Sequence, residues 1–284
     1  MKQISVTSPA KINLTLDIIS KRDDGYHELE MVMQEISLKD KIVLKETEKD
    51  LIKITSNSKE IPLDEKNLVW KAIQLVKEKK MIKKGIEAFI EKKIPVAGGM
   101  GGGSSNAAAT IKGLNKLWEL EMKEKEMQLI AESLGMDVAF FLHGGTCFAS
   151  GRGEKIEGIK SFPKTRILIC NPGIHVSTKK AYSEINYEKT GKVLASRKMK
   201  KAIEEKKITE ELAELIHNDF EFSVFNAFPK IKELKEKMKP DSFNALMSGS
   251  GSTVFCFPKT EKQSEELALK LKKEFKTVIQ AFTA

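Results

Sequence analysis

The stretch that decides the reading is IPVAGGMGGGSSNAAATIKGLNKL, residues 94–117. Five glycines fall between 98 and 103, followed by Ser104, Ser105, Asn106 and an alanine run. Ordered glycine is entropically costly, and a flexible linker would continue in Gly and Ser. Here the pattern instead becomes apolar and periodic. Ala107, Ala108, Ile111, Leu114 and Trp118 recur at helical spacing. The spacing predicts a glycine loop running straight into a helix, with Ser104 or Ser105 as its N-cap. Free N–H groups and the positive end of the helix dipole converge at such a point and suit a phosphate. A tight turn with close backbone packing is the plainer alternative, and for a lone GxGxxG it is at least as good. Five glycines plus a helix start favour phosphate.

The loop lacks the lysine of a P-loop, because Ser-Ser-Asn follows the glycines in place of Gly-Lys-Ser/Thr. Nor does an acidic residue about 20 positions on close a dinucleotide-binding βαβ unit; the loop's helix leads to another helix. Backbone N–H groups and the hydroxyls of Ser104 and Ser105 would have to hold the phosphate. A cation must then come from elsewhere in the chain.

Outward from the loop, residues 2–19 alternate. Ile4 and Val6 point one way; after Pro9, Ile12, Leu14, Leu16 and Ile18 share one face and Lys11, Asn13, Thr15 and Asp17 the other, as expected of half-buried strands. Residues 41–46 and 51–55 read as further strands, and 64–80 as a helix with Leu68, Ala72, Leu75 and Val76 inward. A strand feeds the glycine loop. Beyond it come a helix from about 123 to 134, ended by Gly135, then a short apolar helix, a Gly-Gly turn and a hairpin-like return. The second half opens with the strand TRILICNP, passes through charged helices, and gives two short strands around the Ser/Gly turn at 247–252. An amphipathic helix at 261–274 and a last strand complete a split βαβ layout. The domain boundary is expected near 160, giving domains 1–160 and 161–284 of an α+β protein.

The 284 residues are 40% apolar and carry a net charge of +9. That charge admits a nucleic acid or a polyanionic small molecule as partner. Only four residues are arginine, and the basic excess sits in mixed Lys/Glu helices, so solvated helix faces account for it better than a nucleic-acid stripe. Cys147, Cys170 and Cys256 each lie among apolar neighbours and read as packed, reduced thiols. No signal-peptide pattern and no run of 18 apolar residues is present, and a cytoplasmic protein without membrane partner is expected.

Four places could carry chemistry. Lys11, on the polar face of an apolar strand beside Asn13, is the candidate cation; alone it would read as a surface lysine on an edge strand. Asp137, followed by Val138, Ala139, Phe140 and Phe141, is the candidate base; alone it would read as a helix cap. Tyr26 and His27 follow the Asp24-Gly25 turn signal, where a ring can stack on a base and an imidazole can read its edge. The segment MSGSGS (247–252) is either a plain hairpin or a loop that lets backbone approach a ligand.

Taken together, SPAKINLTLDI, PVAGGMGGGSSNAA and MSGSGSTVF resemble the three motifs of the GHMP kinases, in order and at fitting distances. RDDGYHELEMVMQ (22–34), CNPGIHVSTKKAY (170–182) and HNDFE (217–221) are similar to a narrower branch of that family. Its members phosphorylate the 2-hydroxyl of 4-diphosphocytidyl-2-C-methyl-D-erythritol with ATP, in the non-mevalonate route to isoprenoid precursors. The resemblance covers nearly the whole chain. It implies an N-terminal domain like ribosomal protein S5, a ferredoxin-like C-terminal domain, and an active site in the cleft between them. It implies Asp137 as the base and Lys11 as the group that orients the hydroxyl and neutralises phosphoryl charge. ATP would be held by Pro95, Ala97, Gly98, Gly99, Met100, Gly101, Gly102, Gly103, Ser104, Ser105 and Asn106, with Asn67 and Leu68 near adenine. Asn13, Thr178, Gly249 and Ser250 would hold the sugar-alcohol substrate, Tyr26 and Tyr182 would stack on cytosine, and His27 would read its edge. ATP and Mg2+ are the implied cofactors, with the Mg2+ ligands unassigned. A small molecule bearing cytidine diphosphate is the implied partner of a monomer or homodimer. Another GHMP kinase substrate, such as mevalonate or homoserine, or a non-catalytic nucleotide- or nucleic-acid-binding role, is the alternative.

Overall fold

The alternation read over residues 2–19 is one long strand, β1 (Gln3–Lys21), followed after a turn by a second, β2 (His27–Thr47). The computed structural model describes residues 2–185, 187–188 and 190–284. Two compact units emerge, and both long strands are divided between them. One unit takes residues 1–10, 38–96 and 101–144; the other takes 11–37, 97–100 and 145–284.

In the first unit, β3 (Ile52–Ser56) pairs in parallel with β4 (Gly85–Glu91), and β4 pairs antiparallel with the second half of β2, Lys41 facing Glu91. Helix α1 (Leu68–Lys80) packs on α2 (Gly102–Leu117). The buried face of α1 is Val69, Ala72, Ile73 and Val76, an i, i+3, i+4, i+7 stripe. It is turned one residue from the expected one: Leu68 and Leu75 are only half-buried. Asn67 sets this start, its side-chain oxygen accepting from Val69 N–H at 2.9 Å. Helices α3 (Glu124–Leu134) and α4 (Met136–His143) complete the unit, with Gly135 between them.

The second unit holds β5 (Thr146–Gly151), which pairs antiparallel with the first half of β2, and β6 (Lys155–Gly158), which pairs with β5. Its other sheet is built from β7 (Arg166–Asn171), β9 (Ser242–Met247), β10 (Val254–Pro258) and β11 (Thr277–Phe282). The spatial order is β11-β7-β10-β9, antiparallel throughout, with α10 (Glu261–Lys272) between β10 and β11. This is the split βαβ arrangement the sequence order implied. Between β7 and β9 the chain forms α5 (Thr178–Ser183), α6 (Ala195–Glu204), α7 (Thr209–Glu214), the two-residue β8 (His217–Asn218), α8 (Phe220–Ala227) and α9 (Pro229–Met238).

The polar face of β1 is not solvated, contrary to the half-buried strand expected. Lys11, Asn13, Thr15 and Asp17 are all buried. The reason is that distant segments lie over this face, the Ser248–Gly249 turn against Lys11 and Asn13 and the start of α6 against Asp17, while β8 pairs in parallel along the strand's edge, Thr15 facing His217. Each polar group there is satisfied internally, as burial demands. Thr15 Oγ1 accepts from Val32 N–H at 3.1 Å, and the two oxygens of Asp17 accept from Ala195 N–H at 3.0 Å and Ser196 N–H at 2.7 Å. The three cysteines are buried thiols outside any disulfide, each pushed up to about 12 chiefly by burial. No helix among the described residues is long and apolar enough to cross a membrane.

Candidate active site

Within the second unit, three segments far apart in sequence converge on Lys11. Its side chain is only 4% exposed and its ammonium donates to Asn13 Oδ1 at 2.5 Å. Its backbone N–H donates to the carbonyl of Met100, in the first half of the glycine loop, at 3.1 Å. The Ser/Gly turn after β9 closes on both. Ser248 Oγ donates to the carbonyl of Gly99 at 3.1 Å and accepts from Asn13 N–H at 3.4 Å. A Cβ on Gly249 would lie 3.2 Å from the carbonyl of Gly99, 3.4 Å from Asn13 Oδ1 and 3.6 Å from Lys11 Nζ. Lys11, Asn13, Gly99 and Gly249 therefore form one polar cluster. A lysine held below water beside backbone that carries no side chain is suited to meeting an anionic group brought in by a ligand.

The same turn reaches the Thr178 region. Thr178 Oγ1 and Ser250 Oγ are 2.9 Å apart. From below, the turn is gripped by HNDFE. Asn218 Nδ2 donates to the carbonyls of Met247 and Gly249 at 2.7 and 2.8 Å, while its oxygen accepts from Phe220 N–H at 3.0 Å. Glu221 accepts from Met247 N–H at 2.9 Å and from Lys235 at 2.5 Å. Burial raises the Glu221 carboxyl against the opposing pull of Lys235. Neither Asn218 nor Glu221 was singled out from sequence, because their partners lie about 30 residues away in the turn.

His27 stands in an aromatic group in the second unit. Its ring stacks on Tyr182 with centroids 4.5 Å apart and 18° between planes, and Tyr182 meets Phe220 edge-on at 4.8 Å. Tyr187, absent from the expected site, lies nearly parallel to His27, with its hydroxyl 2.6 Å from Nε2. Desolvation lowers the His27 pKa, with the Lys21 charge acting the same way. Tyr26 is half exposed and its ring faces the Arg152 guanidinium at 4.9 Å. The chain has three tyrosines, at 26, 182 and 187, and all three sit beside His27 in sequence or in space. That concentration is the signal that could have found Tyr187.

In the first unit, the second half of the glycine loop opens α2. Gly101, in the left-handed region at φ 68°, is the N-cap, so neither Ser104 nor Ser105 caps the helix; both lie inside its first turn. The left-handed backbone reverses the chain there, a conformation glycine adopts without cost. Ser104 is half-buried and Ser105 is buried, its Oγ accepting from Ser8 at 2.8 Å. Asn106 points inward as well. Its Nδ2 donates to Ser8 Oγ at 2.8 Å and Asp40 Oδ2 at 2.9 Å, and Lys92 forms a salt bridge with the same oxygen of Asp40. The side chain of Asn106 is thus spent on the core, which leaves the N–H groups of the first turn for a ligand. Pro95 and Leu68 are half-buried, and Asn67 caps α1 and donates to the Pro62 carbonyl at 2.6 Å. Asp137 lies in the first turn of α4, half-buried, ahead of buried Val138, Ala139, Phe140 and Phe141.

Among the described residues, Asp17, His217 and Asp219 are the group with spacing that could hold a metal ion. Their atoms are already engaged. Asp17 accepts the two N–H groups given above, Asp219 Oδ2 accepts from Ile18 N–H at 2.7 Å and Gly191 N–H at 2.9 Å, and Asp219 Oδ1 is 2.8 Å from His217 Nε2. Carboxylates so saturated by backbone donors tie segments together and do not fit a Mg2+ site.

Residues 67–145 match the GHMP kinases N terminal domain, and residues 199–277 the GHMP kinases C terminal domain. A protein of Clostridioides difficile (strain 630) named 4-diphosphocytidyl-2-C-methyl-D-erythritol kinase is 43% identical over 280 residues, covering 98% of this chain and 94% of that protein. The chain belongs to the GHMP kinases. It is accordingly a small-molecule kinase, a class that takes ATP as phosphate donor. A protein of the same name from Bacillus velezensis is 41% identical over 261 residues, covering 92% of this chain and 90% of the relative. Among solved structures, a 4-(cytidine 5'-diphospho)-2C-methyl-D-erythritol kinase superposes with a TM-score of 0.84 at 29% identity, covering 99% of this chain and all of that one. A homoserine kinase from Cytophaga hutchinsonii gives 0.78 at 20% identity, over 100% of this chain and 95% of that one, which speaks for the fold alone.

Proposed function

We propose that this kinase transfers the γ-phosphoryl group of ATP to the 2-hydroxyl of 4-diphosphocytidyl-2-C-methyl-D-erythritol, yielding the 2-phosphate and ADP, in the non-mevalonate route to isoprenoid precursors. The observation that carries the reading is the 43% identity, over nearly the full length of both chains, to a protein of that name. The geometry of the second unit agrees. A buried cation beside side-chain-free backbone suits a phosphoryl group, and the aromatic group around His27 suits a planar base.

In this reading Asp137 accepts the proton of the 2-hydroxyl as its oxygen attacks phosphorus. Lys11, oriented by Asn13, holds that hydroxyl and offsets the charge that builds on the transferring group. The N–H groups of residues 98–106 cradle the ATP phosphates, and Asn67 and Leu68 border the adenine. Asn13, Thr178, Gly249 and Ser250 position the methylerythritol end, while Tyr26, Tyr182 and His27 take the cytosine. Mg2+ would travel on the ATP phosphates and neutralise their charge, since the Asp17–His217–Asp219 group does not fit it. The domains proposed are 1–160 and 161–284; the two family matches fall on either side of that boundary.

The test is ADP release with Mg-ATP and the cytidylated substrate, beside mevalonate and homoserine. Turnover with the cytidine compound alone is expected. Turnover with another alcohol instead would keep the kinase and discard the pyrimidine reading. Asp137→Asn should abolish turnover while ATP still binds; full activity in that variant would remove Asp137 as the base.

A further inference from the structure

A hydrogen bond outside the proposed set of substrate contacts fixes the chemistry of His27. Tyr187 Oη lies 2.6 Å from Nε2, and Nδ1 has no hydrogen-bond partner among the described residues. A phenol O–H is a better donor than an imidazole N–H, and an unprotonated imidazole nitrogen is a better acceptor than a phenol oxygen. The favoured pairing therefore has Tyr187 donating. A neutral imidazole carries one proton, so accepting at Nε2 forces that proton onto Nδ1. Stacking on Tyr182 at 4.5 Å holds the ring plane, which leaves Nδ1–H as a donor in a fixed direction.

We infer that Tyr187 is a positioning residue that holds His27 as an Nδ1–H donor, and that this donor selects cytosine over uracil. The inference rests on the cytidine reading above and deepens it. The two bases differ at N3: cytosine presents an acceptor there, whereas uracil presents N3–H. A fixed Nδ1–H donor pairs with the first and opposes the second. With the opposite tautomer the preference would reverse. The hydroxyl of Tyr187, through His27, thus decides which pyrimidine is accepted without touching the base itself.

The test uses the intact kinase and Tyr187→Phe, which keeps the ring and removes the hydroxyl. Tyr187 is 43% exposed, so the phenylalanine variant is expected to fold, and thermal melting checks it. The tautomer is read from the 15N signals of the His27 ring at about pH 8, well above the usual imidazole range. CDP and UDP binding are measured by calorimetry, and KM and kcat with the cytidylated substrate. The wild type should carry its proton on Nδ1 and prefer CDP. In Tyr187→Phe the proton should shift toward Nε2, and the CDP-over-UDP preference should fall about tenfold to a hundredfold, the worth of one discriminating hydrogen bond. KM should carry more of the loss than kcat. In a His27→Ala background, Tyr187→Phe should have no further effect on preference, because the two act as one unit. An Nε2–H tautomer in the wild type, or a CDP preference unmoved by Tyr187→Phe, overturns the inference. A wild type with the Nδ1–H tautomer that binds neither CDP nor UDP overturns the cytidine reading instead, and is recognised by that combination.

Discussion

Asn218→Asp isolates the grip of HNDFE on the Ser/Gly turn. The substitution keeps the volume and the oxygen that accepts from Phe220 N–H, but replaces the amide that donates to Met247 and Gly249. Two carbonyls lose their donor and face a second oxygen. A buried polar group left unsatisfied costs about 1–3 kcal/mol, so two cost about 2–6 kcal/mol before relaxation. Asn218 is buried, and Glu221 still holds Met247 N–H, which limits how far the turn can swing to find water. The upper half of that range, about 4–6 kcal/mol, is expected in urea unfolding followed by fluorescence and circular dichroism. That is a large share of the 5–15 kcal/mol typical of a folded domain. Turnover should fall further than folding does. Gly249 is aligned over Lys11 and Asn13 by the bond being removed, and a displacement of about 1 Å at a reacting centre costs up to about a hundredfold. Assayed at a temperature where the variant is fully folded, kcat should drop by about one to two orders of magnitude. A stability change below about 0.5 kcal/mol, or a kcat loss no greater than the unfolded fraction, would refute the reasoning.

Gly99→Ala should be far more damaging than Gly25→Ala. A Cβ at Gly99 would lie 2.2 Å from the Ser248 carbonyl, whereas at Gly25, with a similarly positive φ, nothing lies within 4 Å. The second variant should cost only the backbone penalty of about 1–2 kcal/mol, and the first several times that in the same denaturant series. The stability of the second unit should also fall as pH rises. Burial opposes charging of His217, but the hydrogen bond and charge of Asp219, with Asp17 and Glu221, outweigh it and raise its pKa above 6.5. The folded state therefore holds the proton more tightly than the unfolded one. Its stabilisation is complete below about 6.5 and is lost as pH climbs through the folded value. His217→Gln should flatten that fall, and a pH–stability curve unchanged by it would show that the pair is not linked to folding.

How much of this was legible in the chain depends on where the partner of each residue lies. The alternation in β1 and the helical spacing after the glycine loop are local, and extended chain and helix form there, though β1 runs on as one strand and α2 starts earlier than its expected cap. The burial of the polar face of β1 is not local. Asp17 is satisfied by Ala195 and Ser196, and Lys11 and Asn13 are approached by the distant Ser248–Gly249 turn, so the pattern disclosed two faces but not that both were interior. The cap of α2 failed for a related reason. Small residues from 101 to 106 offer several starts of similar quality, and the left-handed turn at Gly101 chose among them. In α1 the apolar residues are dense enough to allow two adjacent stripes. The Asn67 cap at the helix start accompanies the one that places Val69 and Ile73 inside.

The glycine loop admitted two explanations, close backbone packing and a phosphate cradle, and the structure divides it between them. Gly99 has no room for a side chain because the Ser248 carbonyl occupies that space, and Gly249 is in turn approached by the Gly99 carbonyl at 3.2 Å. Glycines of the first half of the loop and of the distant Ser/Gly turn thus account for one another, with no ligand needed. From Gly101 onward the situation changes. Gly101 starts the helix, a Cβ on Gly103 would meet only Leu68 at 3.8 Å, and the nearby side chains of Ser105 and Asn106 are turned into the core. Gly102 is itself packed, since a Cβ there would meet Lys92 Nζ at 3.0 Å and Ile94 at 3.1 Å, so it is around Gly103 that backbone N–H at the helix start stands without side chains crowding it. A ligand-binding argument built on all five glycines alike would have credited the phosphate with residues that packing already requires. The sharper expectation is that Gly99→Ala weakens the fold and ATP binding together, while Gly103→Ala spares the fold and acts on ATP affinity alone.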